Sequence, residues 1–272
     1  MGVVVVIGVL LGTLGSPQAQ TPRSGNLRIG AVTEPAVDPH FVFLGSNVAY
    51  SRHMFDALVG SDADGKKFPG LALSWTAVDD RTWEFKLRPG VKFHDGSEHT
   101  AEDVAFTIKR VPGIPNNPNS YTGNIRTVTS TEIVDPLTIR FRTRVPDPSL
   151  PDLLTSIFIV SSRAAANASP ADFRSGKAAI GTGPYRMVRF AAADRLVLER
   201  NESYWGGRPA WAGVEFRLLS NEAARIAGAA GGGEILASQE TVDGTRFATT
   251  QPRSIQLKGL REPMDVVSVE WK

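Results

Sequence analysis

The stretch Trp83–Arg110, WEFKLRPGVKFHDGSEHTAEDVAFTIKR, contains the clearest structural signals in the chain. Its first five residues alternate between apolar and polar side chains, which predicts a half-buried strand ending at an Arg-Pro-Gly turn. Val91–Phe93 is predicted as a short second strand and is followed by a His-Asp-Gly turn, so we expect a β-hairpin here. Thr100 and Asp103 have the spacing of a capping box, which predicts that a helix begins at Thr100.

Strand signals dominate on both sides of this stretch, and they do not alternate regularly with helices. Prolines interrupt the chain at Glu34–Pro39, where two of them exclude a central strand or helix. The segments predicted as strands are Asn26–Val32, Thr127–Asp135, Leu137–Thr143, Arg186–Phe190, Arg195–Arg200 and Val214–Leu219, and a helix is predicted at Val48–Leu58. This order predicts an α/β or α+β architecture with a mixed sheet.

The composition is that of an ordinary globular protein and excludes several classes of function. Hydrophobic residues make up 42% and charged residues 21% of the 272 residues, which is enough for one large or two modest domains. Lys and Arg number 30 against 28 Asp and Glu, without a basic cluster interleaved with aromatics, so we expect no nucleic-acid partner. The absence of cysteine excludes disulfides, thiol nucleophiles and cysteine-based zinc sites.

Residues 1–20 have the character of a secretory signal peptide. Val3–Leu14 is an apolar run that is too short to span a bilayer comfortably, and the residues around Ala19 suit cleavage. A membrane anchor and a buried N-terminal strand are the alternatives. We expect export to the periplasm.

Motifs for catalysis are missing from the sequence. It contains no Gly-x-Ser-x-Gly elbow, no HExxH and no Walker loop, so we expect neither an enzyme nor a cofactor. Gly181 and Gly183 resemble part of a phosphate loop, but Pro184 lacks an N–H and no Lys-Ser/Thr pair follows. A turn leading into a strand is the better interpretation of these glycines.

Two groups of polar residues are candidates for chemistry. His94, His99 and the acidic residues between them, Asp95 and Glu98, could be metal ligands, although polar side chains at an exposed hairpin end are the simpler interpretation, and we predict no metal site. Glu34 and Asp38 could work as paired carboxylates. In a proline-rich loop, such residues more often cap a helix or contact a ligand.

Three ordered segments resemble one known family. They are Trp83–Arg110, Phe55–Trp75 (FDALVGSDADGKKFPGLALSW) and Ala179–Trp211, which contains GTGPY and NESYWGGRPAW. In these segments the chain resembles the family 5 extracellular solute-binding proteins, which are the dipeptide, oligopeptide and nickel binders of ABC importers. The resemblance covers about residues 25–219.

The resemblance implies a fold, a site and partners. It implies a periplasmic-binding-protein type II-like first lobe within residues 21–220, with a subdomain inserted at about residues 50–160. The loop after the first strand would face the ligand cleft and offer backbone groups to a peptide-like small solute. Its predicted ligand-binding residues are Thr33, Glu34, Pro35, Ala36 and Val37. The expected function is solute capture for the permease subunits of an ABC transporter.

The C-terminal residues 221–272 do not resemble the second lobe of that family. Asn221–Ala227 fits the N-x-A-A-R pattern of class III adenylate and guanylate cyclases, in which the Asn and Arg bind the nucleotide. The resemblance implies vestigial nucleotide-binding roles for Asn221 and Arg225. A simple helix start with Asn221 as N-cap is the alternative. A fragment of a cyclase fused to the binding protein, or a non-functional chimera, is therefore the second functional hypothesis.

Overall fold

The computed structural model describes residues 23–31, 33–219, 235–238, 248–249, 251–255 and 264–270. The predicted signal peptide lies outside these residues. The strands are β1 (Arg23–Ala31), β2 (Val59–Ser61), β3 (Lys67–Pro69), β4 (Ala72–Asp79), β5 (Thr82–Leu87), β6 (Val128–Asp135), β7 (Thr138–Thr143), β8 (Tyr185–Ala191), β9 (Arg195–Arg200), β10 (Trp211–Leu218), β11 (Ile235–Ser238), β12 (Ala248–Thr249), β13 (Arg253–Ile255) and β14 (Met264–Glu270). The α-helices are α1 (Gly45–Met54), α2 (Ala101–Arg110), α3 (Leu150–Leu153), α4 (Ser162–Ala165) and α5 (Pro170–Arg174). None of the described helices has the length and apolar character needed to cross a membrane.

The first strand, β1, and the later strands β8, β9 and β10 form one sheet, which we call the lobe sheet. Its order is β1-β10-β9-β8, with β1 parallel to β10 and the other pairs antiparallel. The alternation of β9 and β10 places Leu196, Leu198, Val214 and Phe216 in a core beneath the sheet. Tyr50 and Met54 of α1 belong to the same core, so α1 covers this face of the sheet.

A second four-stranded sheet lies between β1 and β8 in the sequence, and we call it the inserted sheet. It has the antiparallel order β4-β5-β7-β6. Its inner face contributes Phe85, Ile139 and Phe141 to a separate core, which α2 covers with Val104 and Ile108. The two sheets and the predicted hairpin β6–β7 confirm the mixed architecture expected from the sequence. The boundaries predicted for the inserted subdomain and the tail remain predictions.

The hairpin predicted within Trp83–Phe93 is wrong, because β5 pairs with β4 and β7 instead. Val91–Phe93 forms no strand, and only Lys92 makes an isolated bridge, to Glu98. The Arg-Pro-Gly turn directs the chain away from the sheet, and the Arg88 N–H donates to the carbonyl of Leu71, at 2.7 Å. β4 escaped prediction because it is an edge strand with mostly exposed side chains, which blurs the apolar alternation.

Both predicted helices are present with shifted bounds. α2 begins as expected, and the Thr100 N–H donates to Asp103 Oδ2 at 2.9 Å, which is one arm of the predicted capping box. α1 begins and ends earlier than predicted. It ends at Met54, where Phe55 adopts an extended conformation and the Gly183 N–H donates to the Met54 carbonyl at 3.0 Å.

Candidate ligand-binding pocket

A pocket of about 640 Å³ lies where the loop after β1 meets the ends of α2 and α5. The loop contributes Glu34–Asp38, α2 contributes Phe106, Lys109 and Arg110, and α5 contributes Phe173 and Arg174. Its volume is within the range of sites for small organic ligands. The pocket therefore joins a loop of the lobe sheet to the helix that covers the inserted sheet.

Four of the five predicted ligand-binding residues line this pocket, and Thr33 does not. Thr33 is oriented toward α1: its hydroxyl donates to Ser46 Oγ at 2.9 Å, and the Tyr50 hydroxyl donates to the Thr33 carbonyl at 3.3 Å. Thr33 therefore fastens the start of the loop to α1. Ligand contact by Glu34, Pro35, Ala36 and Val37 stays a prediction.

The loop is held by contacts that leave part of its backbone available. The Ala36 N–H donates to Asn47 Oδ1 at 2.9 Å, and the Val37 side chain is buried. The N–H groups of Glu34 and Val37 have no acceptor among the described residues. Backbone N–H groups need a hydrogen-bond partner, so these two can serve a ligand or water.

Arg110 connects α2 to the loop through a network of charged and polar groups. Its guanidinium donates to Asp38 at 2.6 and 3.0 Å and to His40 Nδ1 at 2.7 Å. Asp38 is thus paired with Arg110 rather than with Glu34, so the carboxylate pair considered from the sequence does not form. The cation also lies over the Phe173 ring, 4.7 Å from its centroid.

His40 is neutral in this network. Its Nε2 lies 2.8 Å from the Phe158 carbonyl, which can only accept, and its Nδ1 faces Arg110, which can only donate. The proton therefore sits on Nε2. Complete burial and, secondarily, the neighbouring Arg110 charge lower the pKa of His40 from 6.5 to about 4, against the opposing effect of Asp38.

Of the four polar residues placed at an exposed hairpin end, Asp95 and Glu98 are exposed, but His94 is half-buried and His99 is buried, so that expectation was wrong for the histidines. His94 Nε2 lies 3.1 Å from the Gly183 carbonyl, and its Nδ1 accepts from the Gly181 N–H at 3.3 Å. His99 is 2% exposed, and its ring nitrogens have no partner among the described residues. Among all the residues that the structure describes, no three His, Cys, Asp or Glu side chains are grouped so that they could hold a metal ion.

The three segments quoted from the sequence meet at Asp56, which sequence reasoning missed. Its carboxylate accepts from Thr182 Oγ1 at 2.9 Å, Trp205 Nε1 at 2.8 Å and the Tyr204 hydroxyl at 3.2 Å. Burial raises the pKa of Asp56, while these donors and the Arg88 charge oppose that shift. Asp56 could have been proposed from the sequence, because it and its hydrogen-bond donors all belong to the segments that resemble the family.

Gly181 and Gly183 pack at this junction rather than around a phosphate. A Cβ added at Gly181 would lie 2.0 Å from the Met54 carbonyl oxygen, and one at Gly183 would lie 2.5 Å from the Met54 carbonyl carbon. Only glycine allows the two backbones to approach so closely. The interpretation of these glycines as a turn before a strand is confirmed, since β8 begins at Tyr185. Asn221 and Arg225, predicted from the cyclase resemblance, lie outside the described residues.

Comparison with curated proteins gives similar sequences over most of the chain. The uncharacterized protein YhjP of Bacillus subtilis is 33% identical over 194 residues, which are 71% of this chain and 32% of YhjP. The glutathione-binding protein GsiB of Pectobacterium atrosepticum is 28% identical over 230 residues, 82% of this chain and 43% of GsiB. The chain thus spans less than half the length of these two relatives.

Comparison with solved structures shows the fold. The oligopeptide-binding protein AppA of Bacillus subtilis, in complex with a nonapeptide, matches with a TM-score of 0.70 at 23% identity. The match covers 86% of this chain and 49% of the AppA chain. The predicted fold class, part of a type II periplasmic-binding-protein fold, is confirmed.

Residues 67–256 match the family of bacterial extracellular solute-binding proteins, family 5, middle part. This match extends past residue 220, where the sequence had suggested a boundary. Because it covers more than half of the chain, the protein belongs to the bacterial extracellular solute-binding proteins of family 5.

Proposed function

We propose that this chain is part of the substrate-binding component of an ABC importer and contacts a peptide-like solute with the loop after β1. The observation that supports this best is the pocket of about 640 Å³ lined by Glu34–Val37. The proposal describes a binding protein without a catalytic residue.

The loop suits recognition of an extended peptide backbone. The N–H groups of Glu34 and Val37 have no acceptor among the residues described, so they can donate to peptide carbonyls in the manner of an added strand. Such bonds do not depend on the side chains of the peptide. The pocket also presents the partly exposed Phe41 and Phe106, which can contact apolar groups of the solute.

Two relatives support a peptide-like solute. GsiB is named a glutathione-binding protein, and the AppA structure contains a nonapeptide. Both ligands are peptides, although they differ in length. We extend that chemical class to this chain and propose that the captured solute passes to permease subunits in the membrane.

We further propose that the chain acts in the periplasm. The apolar run Val3–Leu14 and the small residues near Ala19 support export, as does the extracellular location in the family description. N-terminal sequencing of periplasmic protein expressed in a Gram-negative host tests this, with cleavage expected near Gln20. Uncleaved protein confined to the cytoplasm would contradict it.

A cyclase origin of residues 221–272 remains a second proposal, supported by the N-x-A-A-R pattern at Asn221–Arg225. The family match reaches residue 256 and so includes much of this tail, which favours the binding-protein origin there. We therefore place the function in the pocket and assign no nucleotide chemistry to the tail.

An NMR titration with trialanine tests the proposed site. We expect the amide signals of Glu34 and Val37 to shift most, because their N–H groups would form new hydrogen bonds. Asn47→Ala releases the Ala36 N–H and loosens the loop, so it should weaken the response. Shifts that cluster away from the pocket and leave Glu34 and Val37 unmoved would refute the assignment.

A further inference from the structure

Five charged side chains line the pocket. Two of them form an ion pair with each other, and the other three form no ion pair among the described residues. Asp38 and Arg110 form a two-bonded ion pair, so their charges offset each other. Glu34, Lys109 and Arg174 also line the pocket, and each is exposed. Within the described part of the chain, none of these three forms an ion pair or a side-chain hydrogen bond.

The two unpartnered cations line the same pocket from α2 and α5, which are in contact. Arg110 at the end of α2 lies over the ring of Phe173, at 4.7 Å from its centroid. Lys109 precedes Arg110 and Arg174 follows Phe173, and both side chains reach the same pocket. We call these two residues the positive wall of the pocket, whose lining also includes Glu34 from the loop.

The balance of these charges points to a ligand of matching charge. One unpaired carboxylate, Glu34, can bind an ammonium group, and two unpaired cations can bind two carboxylates. Complementary charges contribute to the choice of ligand more than to affinity when they are solvated. A cationic solute would meet a like-charged wall and would be disfavoured.

We propose that this pocket selects anionic solutes with one ammonium and two carboxylate groups, such as short peptides that contain an acidic residue. Lys109 and Arg174 bind the carboxylates, and Glu34 binds the ammonium. This inference rests on the proposed function, because it assumes that the pocket is the solute site. It adds a charge preference that backbone recognition by the loop cannot supply.

Three dipeptides of similar size test the preference on the full chain. Ala-Glu has one ammonium and two carboxylates, Ala-Gln lacks the second carboxylate, and Ala-Lys carries an added cation. NMR titration at low salt should give affinities in the order Ala-Glu, Ala-Gln, Ala-Lys, with steps of about two- to fivefold, as expected for solvated ion pairs. Added salt should reduce the steps.

Variants distinguish the positive wall from a general charge effect. One of the variants Lys109→Gln and Arg174→Gln should remove the step between Ala-Glu and Ala-Gln, and the other should weaken both dipeptides by about one such step. Lys66→Gln, at an exposed lysine of the β2–β3 turn outside the pocket, is the matched control and should change nothing. Thermal unfolding of each variant checks that the fold is retained.

The results of these titrations distinguish failure of the charge preference from failure of the proposed solute site. Equal affinities for the three dipeptides, or a preference that persists in Lys109→Gln and Arg174→Gln, would overturn the charge preference and leave the solute site in place. Absence of any response to all three at tens of millimolar would overturn the proposed site and the inference together.

Discussion

Removing the carboxylate of Asp56 should destabilise the chain more than removing that of an exposed aspartate such as Asp64. In Asp56→Ala, Thr182, Tyr204 and Trp205 each lose their acceptor. These residues join the loop before β8 and the turn after β9 to the end of α1. The change therefore loosens the junction between the family-like segments Phe55–Trp75 and Ala179–Trp211.

The size of the effect follows from the hydrogen bonds and from burial. Each bond to a charged acceptor contributes about 1.5–3 kcal/mol, so three contribute roughly 4–9 kcal/mol. Burying the carboxylate offsets several kcal/mol of this, as the raised pKa of Asp56 indicates. We expect Asp56→Ala to lower the free energy of unfolding by about 3 kcal/mol. Asp56→Asn keeps an acceptor and can donate to the Tyr204 oxygen, so it should lose only about 1 kcal/mol.

Urea unfolding followed by tryptophan fluorescence measures these differences, since Trp205 is itself a partner of Asp56. Asp64→Ala is the control, because Asp64 is exposed in the turn between β2 and β3. It should change the unfolding free energy by less than about 0.5 kcal/mol. A loss below 1 kcal/mol in Asp56→Ala, or equal losses in the Ala and Asn variants, would refute the role of Asp56 as the junction.

Three further predictions concern acid, glycine and nucleotides. Burial lowers the pKa of His40, His94 and His99 to about 4, while the unfolded chain takes up protons below about 6.5, so stability should fall as the pH drops from 6.5 toward 4. Urea unfolding should show a loss of up to about 3 kcal/mol from each of these histidines, and a flat profile would contradict their burial. Gly183→Ala should lower the unfolding free energy by about 2 kcal/mol or more, since the new Cβ would lie 2.5 Å from the Met54 carbonyl carbon, whereas Gly123→Ala, with nothing within 4 Å, should not. Incubation with ATP or GTP and Mg²⁺ or Mn²⁺ should yield no cyclic nucleotide. Cyclase chemistry needs metal-binding residues, and the sequence before Asn221 does not match the part of a cyclase domain that contains them. Formation of a cyclic nucleotide that is lost in Arg225→Ala would establish the cyclase alternative.

Local patterns predicted the elements whose own sequence specifies them. The capping box at Thr100, the Asp-Pro bend between β6 and β7 and the prolines of the loop after β1 are short-range signals, and each appears as expected. The family resemblance supplied the fold and the loop that lines the pocket. The pairing of β5 with β7 could not be read this way, because it joins segments that are far apart in the sequence. The local hairpin of β4 and β5 was missed because the mostly exposed side chains of β4 blur the apolar alternation.

The contacts of Arg110 and the burial of the histidines were also not predicted, because they depend on residues that are far apart in the sequence. Arg110 was assigned to a helix from its sequence, but its pairing with Asp38 and His40 requires the loop to reach α2 across the chain. His94 and His99 occupy polar sequence, which favours an exposed position, whereas tertiary packing half-buries His94 and buries His99. Charge partners and burial are properties of the assembled fold, and no local pattern encoded them.

Calorimetry with di- to pentapeptides tests most directly the claim that this chain provides one side of a solute site. Two backbone hydrogen bonds from the loop contribute about 1–3 kcal/mol, whereas association costs about 4 kcal/mol or more in lost freedom. Apolar contacts in an open pocket add only modestly, because water remains on the other side. We expect millimolar or weaker binding by the 272-residue chain and much tighter binding when a second lobe from a family 5 relative is fused to it. Micromolar binding by the chain alone would contradict the account.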